Sequence, residues 1–416
     1  MMASGAQPSS RTAAALLVGA ALSGFDAGAV GYVLPALRAT TGVDAQGASW
    51  LVSTYVAAML VGIPLAGAAV ARFGALRLFQ ICLMLAAAGA LLALTAPGLP
   101  AVLAGRSVQG LGQGPLLPLA ATLVAQHWPA GQQGRLVGAL SLAYGVAFLA
   151  ATGVAPPLLG HWGWRAGFAL SLLTAAAALA ATWNVGGPSA APPEVEAAKV
   201  HKPSRAGLRA LMQREMAAIA LLSLGTGVGQ AMLVWFPTLA IARLGVPALA
   251  TSILMLPLVV GGIAATVAIT ALLDRMGARR LLAIGAAAAL IGVVLAVLAP
   301  PSRLAFMAGA GAFGLGIVGL CGGPLRYAAA RAVPAGGQGL AQSAVALLTN
   351  LGLLGGSLLL GALASGSGHP GGEGAGITTA LVTTGMAMAL SFVALAALRP
   401  HLPEAAPAAP AASNRA

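Results

Sequence analysis

Twelve apolar stretches, each of roughly 20 residues, follow one another along this chain with almost no charge inside them. They cover residues 13–37, 47–70, 78–97, 100–125, 135–158 and 165–184, then 215–241, 248–272, 281–299, 304–325, 339–364 and 376–398. A stretch of that length suits a helix crossing a bilayer, where no water satisfies loose backbone groups. Hydrophobic residues make up 59% of the 416 and charged ones 7%, against about 25% charge in an ordinary soluble domain. With 57 glycines and only 5% aromatics, the composition suits backbones that approach closely in lipid, not a bulky soluble core. Arg11 and the apolar run after it could pass for a secretory leader, but the run continues past Asp26 to Leu37 and reads as a span. Cys82 and Cys321 both fall in apolar runs, which indicates neither a disulfide framework nor a metal cluster.

An even number of spans puts both termini on one side, and the basic residues choose the side. Of the 21 lysines and arginines, sixteen fall on the face shared by the termini: Arg11, Arg72, Arg77, Arg135, Lys199, Lys202, Arg205, Arg209, Arg214, Arg275, Arg279, Arg280, Arg326, Arg331, Arg399 and Arg415. The other face has Arg38, Arg165, Arg243 and Arg303, and Arg106 lies within a span. This asymmetry predicts a multi-pass protein of the inner membrane with both termini cytoplasmic. It also accounts for the net charge of +13 without a nucleic-acid partner.

The chain repeats itself. Gly67-Ala-Ala-Val-Ala-Arg-Phe-Gly-Ala-Leu-Arg77 aligns with Thr270-Ala-Leu-Leu-Asp-Arg-Met-Gly-Ala-Arg-Arg280. Ala104-Gly105 and Gly110-Leu-Gly112 align with Ala308-Gly309 and Gly314-Leu-Gly316, and Pro129–Gly134 aligns with Pro334–Gly339. Matches in one order at nearly constant offset indicate a duplication. The expected fold is an all-α membrane protein of twelve transmembrane helices, built as two pseudo-symmetric six-helix bundles. Residues 1–184 form the first half and 215–399 the second. The polar, proline-rich segment 185–214 is expected to be a cytoplasmic linker, and the Ala/Pro tail 400–416 to be disordered.

Polar residues inside such spans are expensive and therefore informative. Asp26 is the one carboxylate well inside a span and Arg106 the one deep basic residue. Arg106, Gln109 and Gln113 recur at i, i+3 and i+7 and so share a helix face, which must point at water or partner groups. The repeat places Ala310, Phe313 and Ile317 at the matching positions, so the second half has no such stripe. Two readings stand for each charge. Asp26 either carries a proton or substrate contact, or tunes the hydration of a vestibule. Arg106 either works in the cavity or pins neighbouring carbonyls. Sequence leaves open whether the two meet directly or through water. Tyr144, Gln230, Gln342 and Asn350 are further cavity candidates, each of which could instead bond a neighbouring helix. Gly145, Gly153, Pro156 and Pro157 make the fifth span a candidate hinge or a place of tight packing. His127, His161, His201, His369 and His401 sit at loops or ends without metal-ligand spacing. The absence of a Gly-x-x-x-x-Gly-Lys-Ser/Thr motif leaves no sign of ATP drive, and nothing suggests an enzyme.

At these motifs the chain resembles the major facilitator superfamily, from about Thr12 to Leu398. Gly67, Arg72, Gly74 and Arg77 resemble its loop signature between spans two and three, with Ala71 where the family usually has Asp. Asp274, Arg275, Gly277, Arg279 and Arg280 are a fuller second copy, with Thr270 replacing the leading Gly. Arg106-Ser-Val-Gln-Gly110-Leu-Gly112 is similar to the family's span-four helix. Phe25-Asp26 with Leu34-Pro35-Ala-Leu37 is similar to span one of the proton-driven multidrug exporters. Span five resembles the antiporter motif, but its Gly-Pro pair is broken. The resemblance implies a secondary active transporter that exports small amphipathic compounds by alternating access, with the proton gradient as energy source, no bound cofactor or metal, and a functional monomer. It also implies that the two loop copies make inter-helix charge contacts in one conformation and break them in the other. The alternative is a uniporter or importer of a polar or anionic metabolite held by Arg106.

Overall fold

The computed structural model describes residues 10–183, 213–321, 323–333, 338–365 and 373–398. The expected linker and tail lie almost entirely outside them. Every regular element among the described residues is helical. The first half comprises α1 (Ser10–Thr41), α2 (Ala45–Phe73), α3 (Ala75–Leu94), α4 (Leu99–Gln113), α5 (Leu116–His127), α6 (Ala130–Trp162) and α7 (Arg165–Trp183). The second comprises α8 (Arg214–Leu244), α9 (Ala248–Met276), α10 (Ala278–Val293), α11 (Arg303–Cys321), α12 (Gly323–Arg331), α13 (Gln338–Ser365) and α14 (Glu373–Phe392).

Among the described residues, 11 helices are long and apolar enough to cross a membrane. The twelfth crossing is the pair α4–α5. Pro115 has no N–H to donate and interrupts the helix after Gly114, so each piece alone is too short. Gly114 keeps right-handed helical angles, and the chain runs on in the same general direction. Span ten is described over α11 and α12, and α10 ends in a π-helical turn at Val294–Leu298.

The duplication written in the sequence recurs in the packing. A Cβ on Gly105 would meet the Ala93 nitrogen and the Gly89 oxygen, and one on Gly309 would meet the Ala296 nitrogen and the Gly292 oxygen. Gly110 lies against the Tyr55 carbonyl, and its counterpart Gly314 against the Leu258 carbonyl. These glycines bring α4 onto α2 and α3, and α11 onto α9 and α10, closer than any side chain allows. Gly74 and Gly277, which close the turns after α2 and α9, share φ = 77°. That positive φ is the reason for glycine at this loop position in both copies.

Among the described residues, the main contacts between the halves are α1 with α8, α2 with α13, and α6 with α9. The junction lies at the end away from the termini. There the Gln46 N–H donates to the Ser365 hydroxyl at 2.5 Å, Gly361 lies on Ser49, and Gly31 lies on the Val234 carbonyl and Pro237. A large buried core spans both halves at this end, from Leu34 and Leu51 to Trp235, Phe236 and Leu360. At the end bearing the termini, the first half keeps a core of its own around Leu16, Phe79, Leu123 and Ala178. Two of the few arginines on the closed face cap helix ends. Arg165 donates to the Ala96 carbonyl at 2.8 Å, and Arg243 donates to the carbonyls of Ala296 and Ala299.

Candidate functional site

The polar residues of the first half converge on one buried group. α4 presents Arg106, Gln109 and Gln113 on a single face, and α1 brings Asp26 opposite. Arg106 Nη1 donates to Asp26 Oδ2 at 2.6 Å and to Gln109 Oε1 at 3.1 Å, while Nε donates to the Leu51 carbonyl at 3.2 Å. The second Asp26 oxygen accepts from the Ser171 hydroxyl of α7 at 2.5 Å. Tyr55 of α2 places its ring 4.2 Å from the guanidinium carbon and donates its hydroxyl to Gln113 Oε1 at 2.8 Å. Asp26 is 5% exposed and Arg106 3%. Four helices of one half are thus tied through a direct, charge-assisted ion pair.

Tyr55 and Ser171 are the members that sequence reading missed. Both are single hydroxyls on apolar helices, and only the fold brings them to the pair. One signal was available for Tyr55, since the chain has just four tyrosines. The second half repeats the geometry without the chemistry. Ala310, Phe313 and Ile317 are all buried, Phe313 stacks on Phe236 at 4.8 Å, and a Cβ on Gly229 would meet Ile317 and Met388.

The other candidates are more dispersed. Tyr144 is half-buried on α6, with its carbonyl against Gly24 and its side chain within electrostatic reach of Tyr55. Gln230 is half-buried on α8. Gln342 gives its amide to the Arg326 carbonyl at 2.7 Å, and Asn350 gives its own to Ala346 one turn back at 3.0 Å. These two bond helix backbone, the alternative that the sequence left open, and do not join the Asp26 group. Tight packing at Gly145 and Gly153 also needs correcting: a Cβ at either would meet nothing within 4 Å. Pro156 is buried and Pro157 half-buried, in a helix that runs unbroken from Ala130 to Trp162. Of the loop residues, Gly67, Arg72, Gly74, Arg77, Arg275 and Arg280 are exposed, Arg279 is half-buried and Gly277 is buried. Arg72 and Arg77 join no ion pair among the described residues. The Asp274 side chain lies outside the described residues.

A family model described as Major Facilitator Superfamily matches residues 16–357. The chain belongs to this superfamily. Its solved neighbours agree on the fold. The nucleoside transporter NupG superposes with a TM-score of 0.73 at 16% identity, covering 93% of this chain and 98% of that one. A D-xylose-proton symporter superposes at 0.74 with 18% identity, covering 94% and 97%. The Major Facilitator chain is therefore a multi-pass membrane transporter and not an enzyme.

Curated relatives of this superfamily member diverge in what they carry. The niacin transporter NiaP of Acinetobacter baylyi is 30% identical over 151 residues, which is 36% of this chain and 34% of that protein. The multidrug export protein EmrB of Haemophilus influenzae is 24% identical over 216 residues, 50% of this chain and 38% of that protein. The chain thus spans little more than a third of the length of the curated relatives it matches.

Proposed function

We propose that this chain exports small amphipathic compounds from the cytoplasm across a bacterial inner membrane, in exchange for protons, by alternating access. The observation that carries the reading is the Asp26–Arg106 pair, buried in the first half and closed by Ser171. A buried carboxylate held by one guanidinium has two discrete states. Ionised, it keeps Arg106 on α1. Protonated, it releases the guanidinium and loosens the tie between α1 and α4. One proton then biases the helices that meet the second half through α1 and α8. The shared core at one end and the separate first-half core at the other support a carrier closed on the side away from its termini. With cytoplasmic termini, that is a form ready to receive substrate from inside.

The likeness to the export protein EmrB favours export, and the likeness to the niacin transporter NiaP favours a second reading, a uniporter or importer of a polar or anionic metabolite. That reading needs Arg106 to face the metabolite, and here it is spent on Asp26. Proton flux in reconstituted vesicles separates the two. Adding a transported compound to one side should drive protons the opposite way. Protons moving with the compound, or not moving, would overturn exchange.

A further inference from the structure

At the closed end a small cavity of about 30 Å³ lies between the halves, lined by Gly31, Tyr32, Phe148, Leu233, Met255 and Leu258 among others. That volume accepts about one water or one small functional group. Its wall is apolar apart from Tyr32 and Thr152. Tyr32 is 5% exposed, and its hydroxyl is buried without a hydrogen-bond partner among the described residues. A hydroxyl left unpaired inside a protein is costly, so it fits a site whose partner comes from outside the chain. The charge around it is equally telling. Asp26 is the one deep carboxylate and Arg106 neutralises it. The pair carries no net charge when Asp26 is ionised and one positive charge when it is protonated. Neither state offers a counter-ion to a cation, and the ionised state offers none to an anion.

We propose that the carried compound is uncharged and mainly apolar, with one hydrogen-bonding group that docks on the Tyr32 hydroxyl at this apex. This deepens the export reading and rests on it. Tyr32 is then the residue that reads the polar group, and lipophilic cations are poor substrates.

The test is calorimetric binding to the full-length protein in nanodiscs, without a pH gradient. Three naphthalene probes of similar bulk are used: 1-naphthamide (neutral), 1-naphthylmethylammonium (cation) and 1-naphthoate (anion). The neutral probe should bind at least about tenfold more tightly than either ion. Tyr32→Phe should weaken it about fivefold or more by removing the hydroxyl. Leu258→Trp should fill the cavity and leave only partitioning into lipid. Equal or tighter binding of either ion overturns the assignment. So does unchanged neutral binding in both variants, or neutral binding no stronger than in Leu258→Trp. Because no gradient is applied, these results do not depend on whether Asp26 couples transport to protons. A failure here and a failure of coupling are read separately.

Discussion

Arg106 is asked to do four things from one guanidinium. It pairs with Asp26, bonds Gln109, reaches the Leu51 carbonyl and lies over the Tyr55 ring. Only the planar fork of arginine satisfies these directions together, and a lysine ammonium is a point charge with other geometry. Arg106→Lys should therefore keep the charge and still lower the transport rate by about tenfold or more. Initial-rate uptake into everted vesicles checks this, and a near wild-type rate would mean that charge alone matters. Tyr55→Phe keeps the ring and loses only the bond to Gln113, so a fall of about two- to threefold is expected in the same assay. The sequence made most of this cluster legible. Asp26, Arg106, Gln109 and Gln113 stand out because lipid penalises every unexplained polar group. Ser171 and Tyr55 did not, because a hydroxyl can satisfy itself on its own helix and gives no periodic signal.

Among the elements, close approach is decided by glycines, and their effects differ by position. A Cβ on Gly110 would run into the Tyr55 carbonyl on α2, whereas one on Gly145 of α6 meets open space. Gly110→Ala should push α2 from α4, costing about 1–3 kcal/mol and breaking the Tyr55–Gln113 bond. Gly145→Ala should be neutral or gain about 0.5–1 kcal/mol from better helix propensity. Thermal unfolding in detergent compares the two. A stable Gly110→Ala would contradict the packing described, and a Gly145→Ala that unfolds early or stops transport would restore the hinge or contact expected of span five. The spans themselves were readable because hydrocarbon thickness fixes their length. The break after Gly114 was not, because a short interruption leaves hydropathy unchanged. The roles of Gln342 and Asn350 were also hidden, since sequence shows that an amide is in a span but not which carbonyl it meets.

For the whole molecule, the claim is that two halves rock about a seam now closed at one end. Gln46 on α2 and Ser365 on α13 meet at that end, where the Gln46 N–H bonds the Ser365 hydroxyl. Cysteines at both positions, with Cys82 and Cys321 replaced by serine, should crosslink on oxidation and stop transport, and reduction should restore it. A crosslinked protein that still transports at full rate would refute opening at this seam. Topology is open to a parallel check: reporters fused after Arg209 and Arg399 should read cytoplasmic, and one within residues 366–372 periplasmic. In the proposed cycle Asp26 joins these motions to the proton gradient, and the most direct measurement isolates it. In vesicles with an imposed pH gradient, uphill accumulation and gradient-free exchange of substrate are followed separately for Asp26→Asn. The amide fixes the neutral state, so accumulation should vanish while exchange survives. Accumulation at the wild-type level would contradict the assignment of Asp26 as the coupling residue.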